Sequence, residues 1–89
     1  MSWQVVFSRQ AQKDARKLAS ASPALKQRAQ ELIDLLAEDP WRSPPPFEAL
    51  VGELRGAYSR RINIQHRLVY SAEADRNLVK MLRLWSHYD

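Results

Sequence analysis

The sequence predicts a small α+β fold with the element order β-α-α-β-β-β. Two observations predict it: apolar residues recur at helical spacing in the first half of the chain, and short β-branched and aromatic runs fill the second half. Because helices and strands occupy separate parts of the sequence, we expect a mainly antiparallel sheet with the two N-terminal helices packed on one face. A chain of 89 residues is long enough for one domain, residues 1–89, with one core.

The first strand and both helices have recognisable start signals. Trp3–Phe7 is short, β-branched and aromatic, which is typical of a strand. Ser8 follows as a helix N-cap, and Ser22 with Pro23 starts a second helix as its cap and first helical residue. The second helix ends before Pro40, since the residue before a proline avoids the α conformation. The apolar residues at helical spacing are Ala11, Ala15 and Leu18 in the first helix and Leu25, Ala29, Leu32 and Leu36 in the second.

The second half of the chain begins with a stiff connection and continues as three strand-like runs. Residues 40–52 contain four of the five prolines, so we expect a rigid loop. The runs span roughly residues 54–62, 66–72 and 77–85, and the segments "NIQ" and "EADRN" form the turns between them. The last run is apolar on both faces in places, which is typical of a central strand.

Composition excludes several classes of site. The chain has no cysteine, which removes disulfides, thiolate nucleophiles and zinc–sulfur sites together. No apolar stretch approaches the roughly 18–20 residues that cross a bilayer, and the first residues do not resemble a signal peptide. We therefore expect a cytoplasmic protein that does not contact membranes.

The positive charge is concentrated in one segment. The formal net charge is +4, and no Asp or Glu occurs between Leu54 and Ala72. All the cations in this segment except His66 are arginines, whose planar guanidinium grips phosphate through two parallel hydrogen bonds. They are Arg55, Arg60, Arg61 and Arg67. A charged sheet edge that prevents aggregation would have the same composition, so phosphate binding and edge protection both stay open.

Three separated stretches together contain the groups needed to cleave RNA without a metal. A carboxylate can take the proton of the ribose 2′-OH, arginines can stabilise the charge on the phosphoryl oxygens, and a histidine can protonate the departing 5′-oxygen. Glu48 in the rigid loop, Arg61 and Arg67 on the strands and His87 at the end supply these groups. We expect no metal site and no cofactor, because the two histidines have no metal-ligand spacing and the chain has no glycine-rich phosphate loop.

Each candidate also has a structural interpretation. Glu48 can be a solvated loop carboxylate or the partner of an arginine, and Arg67 can form an ion pair with either Glu48 or Glu53. His66 lies at a strand start and is more easily explained by a structural role, and Tyr70 and Trp85 are most simply core aromatic residues. Residue types and spacing alone leave the catalytic and structural interpretations open.

The segments "GAYSRRINIQHRLVY" (56–70) and "LWSHYD" (84–89) resemble the YoeB/Txe group of bacterial type II toxins, within the RelE superfamily. The resemblance extends over the whole chain, from "VFS" after the first strand through "FEALVGEL" to the terminal His-Tyr. It implies a microbial-RNase-like fold and an endonuclease that cuts messenger RNA in the ribosomal A site. It also implies control by a cognate antitoxin, and it leaves both a monomer and a homodimer open.

The resemblance assigns roles to individual residues of this sequence. Glu48 matches the general base, Arg67 the arginine that stabilises the scissile phosphate, and His87 the general acid. Tyr88 matches the terminal tyrosine that positions the nucleotide. The residues predicted to contact RNA are Arg55, Arg60 and Arg61.

Two alternatives to a nuclease remain. ParE-type toxins share the architecture, lack this catalytic set and act on DNA gyrase. A plain nucleic-acid-binding module would use the arginines for phosphate contacts alone, and His87 would then be replaceable.

Overall fold

The computed structural model describes residues 2–84 and has the predicted α+β architecture. Two helices precede most of a five-stranded sheet with the order β1-β5-β4-β3-β2. Strand β1 is parallel to β5, and all the other pairs are antiparallel. The elements are β1 (Gln4–Phe7), α1 (Arg9–Ala21), α2 (Pro23–Glu38), β2 (Glu48–Ala49), β3 (Tyr58–Arg61), β4 (Arg67–Glu73) and β5 (Leu78–Arg83), with a 3₁₀ turn at Gly52–Leu54.

Local signals fix both helix starts as predicted. The Ser8 hydroxyl accepts a hydrogen bond from the Ala11 N–H at 3.0 Å, and the Ser22 hydroxyl accepts one from the Leu25 N–H at 3.3 Å. Pro23 occupies the first turn of α2, where its missing N–H costs nothing. Within residues 2–84, neither helix is long and apolar enough to cross a membrane.

Two details of the predicted strands are wrong. The rigid connection contains a short strand, β2, because Glu48 and Ala49 pair with Ser59 and Tyr58 of the next strand. The run predicted from residue 54 begins only at Tyr58, since the chain first makes a 3₁₀ turn and then bends at Gly56, whose φ of +97° favours glycine. The predicted interior position of the last strand is confirmed, as β5 lies between β1 and β4.

The core lies between the helices and one face of the sheet. Buried residues from both helices pack against buried residues of β4 and β5, and Tyr70 is among them, as predicted. The set comprises Ala11, Leu18, Ala29, Leu32, Leu36, Ile62, Leu68, Tyr70, Val79, Met81 and Leu84. His66 is buried beside the turn between β3 and β4, in keeping with a structural role.

The prediction that Arg60 contacts RNA is wrong, because Arg60 is fully buried on the helix side of the sheet. Its Nε donates to the Tyr70 hydroxyl at 3.0 Å, and its Nη2 and Nη1 donate to the carbonyls of Pro40 (3.1 Å) and Pro45 (2.5 Å). The guanidinium also lies over the ring of Phe47, with its carbon 4.9 Å from the ring centroid. Arg60 therefore fastens the proline-rich loop to the sheet at two points.

Aromatic packing supports the same loop. The rings of Trp41 and Phe47 both meet the Tyr58 ring edge-on, at centroid distances of 5.2 and 5.7 Å. Burial raises the pKa of the Tyr70 hydroxyl. This effect is larger than the opposite effect of the hydrogen bond and charge of Arg60, so the pKa lies above its ordinary value. Tyr70 consequently stays protonated, and its hydroxyl donates to the Pro40 carbonyl at 3.4 Å while it accepts from Arg60.

We predict that Arg60→Lys lowers the free energy of unfolding by about 2–3 kcal/mol, because an ammonium cannot reach all three acceptors and at least one buried oxygen loses its donor. Urea denaturation followed by circular dichroism measures the change. Arg42→Lys is the control, since Arg42 is exposed and pairs with the exposed Glu38 at 3.5 Å. Equal stability of the two variants would contradict the fastening role of Arg60.

Candidate active site

The open face of the sheet, opposite the helices, carries the predicted polar residues. Side chains alternate between the two faces of a strand, so in the segment Tyr58–Arg61 the residues Ser59 and Arg61 share the open face. Residues directly opposite one another in neighbouring strands lie on the same face, and Glu48 pairs with Ser59 while Arg61 pairs with Arg67. Strand register thus brings Glu48 to the same face of the sheet as Ser59, Arg61 and Arg67.

These residues line a cleft of about 290 Å³, whose walls are Pro46, Glu48, Ser59, Arg61 and Arg67. Arg61 and Arg67 are direct cross-strand neighbours, an arrangement that costs stability because like charges repel. An anion bound between them would relieve that repulsion. The cleft therefore has the charge and the shape to receive a phosphate group.

A loose ion pair links the carboxylate to the arginine inside the cleft. Glu48 Oε2 lies 3.7 Å from Arg67 Nη1, and the same nitrogen donates to the Ser59 hydroxyl at 3.5 Å. The Glu48 side chain is 70% exposed and that of Arg67 is 30% exposed, so the pair contributes little to stability. The contact is long enough for an incoming phosphate to replace it.

The remaining predicted residues fall into two groups. Arg55 is exposed after the 3₁₀ turn and is not one of the residues that line the cleft. His87 and Tyr88 lie outside the described residues. Among residues 2–84, no group of three or more His, Cys, Asp or Glu side chains is arranged to hold a metal ion.

Strand β5, which precedes His87 in sequence, ends in the same cross-strand row as the cleft residues Glu48 and Ser59. A row of paired residues crosses four strands, from Glu48 through Ser59 and Val69 to Arg83. Since neighbouring strands are about 4.8 Å apart, the backbone at Arg83 lies roughly 10 Å from that at Ser59. His87 follows Arg83 by four residues, a length of chain that can span about 13–14 Å.

Helix α1 holds the end of β5 through four consecutive residues. The Ser8 N–H donates to the Met81 carbonyl at 2.9 Å, and the Ser8 hydroxyl donates to the Leu82 carbonyl at 3.0 Å. Asp14 accepts a hydrogen bond from Arg83 Nε at 2.8 Å and another from the Leu84 N–H at 3.1 Å. We call this set of contacts the α1–β5 tie.

Sequence reasoning missed Asp14, although a signal for it exists. Asp14 falls on the apolar stripe of α1, three residues after Ala11 and four before Leu18, and a carboxylate at such a position is buried and needs partners. Ser59 was also missed, because a serine in a strand carries no distinctive pattern. It lies buried in the floor of the cleft, where its hydroxyl contacts Arg67.

The charge of Asp14 is stabilised by its partners. Burial alone would raise the pKa of this carboxyl group, but hydrogen bonds from Arg83, Gln10 and the Leu84 N–H, together with the charge of Arg83, outweigh burial and hold the pKa below its ordinary value of 3.8. Asp14 is therefore ionised at neutral pH and contributes stability there. That contribution is lost as the pH falls from the ordinary pKa through the lowered one.

Comparison with known proteins gives a consistent family match. The family described as "YoeB-like toxin of bacterial type II toxin-antitoxin system" matches residues 7–88. The chain is 32% identical over 84 residues to Toxin YoeB of Streptomyces coelicolor, which covers 94% of this chain and 98% of that protein. It is 44% identical over 61 residues to Toxin YoeB of Mycobacterium bovis, covering 68% of this chain and 69% of the relative.

Solved structures with similar folds support the same assignment. The heterotetrameric YoeB–YefM toxin–antitoxin complex from Staphylococcus aureus contains a chain that matches with a TM-score of 0.81 and 29% identity over 99% of this chain and 100% of that chain. The YoeB dimer from the same organism matches with a TM-score of 0.81, 28% identity and the same coverage. A YoeB/ParE toxin from Agrobacterium tumefaciens shares the fold, with a TM-score of 0.86 at 22% identity over 96% of this chain and 99% of that chain.

We predict that Asp14→Asn lowers the free energy of unfolding at pH 7 by about 2 kcal/mol, because the charge-assisted hydrogen bonds to Arg83 and Leu84 become neutral ones. Between pH 5 and pH 2 the variant should lose less stability than the parent, since it lacks the carboxylate whose pKa is lowered. Denaturation at a series of pH values measures both effects.

Asp34→Asn is the matched control for Asp14→Asn. Gln30 donates to Asp34 at 2.9 Å across one helical turn, as Gln10 donates to Asp14 at 3.0 Å, but Asp34 is exposed. The control should leave stability almost unchanged at every pH. Identical pH profiles for the two variants would disprove the stabilising role assigned to the buried carboxylate.

Proposed function

The chain belongs to the family of YoeB-like toxins of bacterial type II toxin–antitoxin systems, and on this basis we propose that it is an endoribonuclease that cleaves messenger RNA in the ribosomal A site without a metal. One observation carries the chemical part of the proposal. A carboxylate and two guanidinium groups meet around one cleft that is large enough for a phosphate, and the carboxylate lies 3.7 Å from one of them.

Each group has a distinct task in the proposed reaction. Arg67 and Arg61 bind the scissile phosphate, and Glu48 takes the proton from the ribose 2′-OH. The 2′-oxygen then forms a bond to phosphorus while the bond to the 5′-oxygen breaks, and His87 donates a proton to that departing oxygen. The products are a 2′,3′-cyclic phosphate on one fragment and a 5′-hydroxyl on the other.

Electrostatics support this division of labour. The two arginines place positive charge where the negative charge of the pentavalent transition state develops. Strand pairing holds Arg61 beside Arg67 before the substrate binds, so no further reorganisation of the protein is needed during the reaction. Glu48 stands at the rim of the same cleft, where displacement of its contact with Arg67 by the phosphate would free the carboxylate to act as a base.

Tyr88 completes the proposed site through its aromatic ring. Stacking of an aromatic ring on a nucleobase is sequence-tolerant and suits a single-stranded substrate. The four-residue length of chain from Arg83 is long enough to let His87 reach the cleft in this proposal.

The proposed partners and location follow from the family. We propose that a cognate antitoxin binds this chain and inhibits it, because the similar Staphylococcus aureus protein was solved as a YoeB–YefM complex. A homodimer is a second proposed assembly, because YoeB of the same organism was also solved as a dimer. An enzyme that acts on translated messages works in the cytoplasm.

We predict that Glu48→Gln and His87→Ala each lower the cleavage rate by about 10²–10⁴-fold, because each removes one proton-transfer group. Growth arrest on expression should disappear in both variants while their thermal stability is retained. Primer extension on cellular messages and end analysis of the fragments measure the reaction. The expected ends are a cyclic or 3′-phosphate and a 5′-hydroxyl, and in a reaction of purified protein with ribosome-free RNA a chelator should not change the rate.

Glu53→Gln is the matched control, because Glu53 is an exposed glutamate of the neighbouring 3₁₀ turn that does not line the cleft. Its cleavage rate should equal that of the parent. Chelator-sensitive cleavage that leaves a 5′-phosphate would contradict the proposed chemistry. Full RNA binding with unchanged toxicity in His87→Ala would instead support a plain binding module.

A further inference from the structure

A second groove adjoins the cleft on the side of helix α2. It lies between Arg28 of α2, the proline-rich loop at Pro45 and Pro46, and the start of the turn after β3, where Arg61 and Ile64 border it. Pro46 and Arg61 line both the cleft and this groove, so the groove continues the cleft past Arg61.

The walls of this groove combine positive charge with exposed apolar surface. Arg28 supplies one guanidinium and Arg61 the other, from elements on opposite sides. The nearest ion pair of Arg28, with Glu31 at 3.7 Å, is exposed and therefore weak. Ile64 is 87% exposed at the tip of its turn, so folding removes little of its apolar surface from water and its side chain adds little to stability.

The turn that presents Ile64 has a fixed shape. The Asn63 side-chain oxygen accepts hydrogen bonds from the N–H groups of Gln65 at 2.9 Å and His66 at 2.7 Å. These bonds, with the buried His66 beneath them, hold the tip in place without help from Ile64. The exposed Ile64 side chain is thus a surface feature of the groove that the turn does not need for its own shape.

We propose that this groove binds the nucleotide next to the scissile phosphate of a single-stranded RNA. Arg28 contacts the neighbouring phosphate, Arg61 bridges the two phosphates, and Ile64 with the proline rings packs against the base. The assignment extends the proposed function, since it names the path that the RNA takes away from the cleavage site.

The test is the binding of an oligoribonucleotide that carries a single 2′-deoxy residue at the cleavage position and so cannot be cut. In Arg28→Gln the dissociation constant should rise about 3–10-fold, and the slope of log affinity against log salt should fall by about 0.7, the value for one lost phosphate contact on a single strand.

Arg42→Gln is the matched control. Arg42 is 48% exposed and pairs with Glu38 at 3.5 Å, as Arg28 is 46% exposed and pairs with Glu31, but Arg42 lines neither groove. Equal affinities and equal salt slopes in the two variants would overturn the subsite. Binding that depends on Arg28, in a protein that does not cut messenger RNA on translating ribosomes, would support the subsite and count against the nuclease.

The α1–β5 tie carries a second, independent inference. It fixes the backbone of Met81, Leu82 and Leu84 and the side chain of Arg83, and Leu84 precedes His87 by only three residues. Leu84 is buried in the core and its N–H is bonded to Asp14, so the backbone at the end of β5 is held from both the core and helix α1. We infer that Asp14 is a positioning residue for the proposed general acid His87.

A positioning role predicts a loss of rate without a loss of affinity. In Asp14→Asn the single-turnover cleavage rate should fall at least tenfold, while the dissociation constant for the 2′-deoxy oligonucleotide stays within twofold. Backbone ¹⁵N order parameters should decrease at residues 81–84. Asp34→Asn should change none of these quantities.

Two further variants separate positioning from stability and from the proposed chemistry. Leu25→Ala removes a partly buried α2 side chain that packs on the core, and it should lower stability while the rate of the folded protein is kept. A full rate and unchanged order parameters in Asp14→Asn would overturn the inference. If His87→Ala retains full cleavage, the proposed function fails, and the order parameters still decide whether Asp14 holds the strand end.

Discussion

The buried guanidinium of Arg60 is the interaction on which the candidate site depends. A charge removed from water is costly unless its hydrogen bonds are satisfied, and here all three bonds go to neutral oxygens of Tyr70, Pro40 and Pro45. Two of these oxygens, the carbonyls of Pro40 and Pro45, belong to the loop that leads to Glu48. If the loop left the sheet, the buried guanidinium of Arg60 would lose two of its hydrogen-bond acceptors. Arginine suits this position because its rigid fork reaches acceptors in different directions, whereas an ammonium group is a compact point charge.

The pair Arg60-Arg61 shows how strand periodicity assigns opposite roles to identical neighbours. Tyr58 and Arg60 share the helix side with Tyr70, and Ser59 and Arg61 share the open face with Glu48. If the register of β3 moved by one residue, Arg61 of the cleft would become buried and Arg60, which fastens the loop, would become exposed. The position of the site is thus a consequence of the same alternation that builds the core.

The sequence predicted what depends on local chemistry and missed what depends on distant partners. Ser8 and Ser22 were predicted as caps because a cap needs only the three residues that follow it. Strand β2 has two residues and no pattern of its own, and it exists because Ser59 and Tyr58 offer it a partner. The composition could not separate Arg60 from Arg61, since a run of arginines looks the same whichever face each occupies. The meeting of Glu48 with Arg67 was expected from a resemblance, and the pairing of three strands accounts for it physically.

Buried polar groups give this small fold a precision that apolar packing alone does not supply. Burial of apolar surface is non-directional, so a small core can hold strands together without fixing a loop or a strand end to within a hydrogen-bond length. Arg60 fixes the loop that leads into Glu48, and Asp14 fixes the strand end that precedes His87. Arg67 lies in the interior strand β4, whereas Glu48 lies in the two-residue edge strand β2 and His87 follows the end of β5 in sequence, so these two are the contributors next to a buried charge. The chain accepts the desolvation cost of those two charges at the places where direction matters.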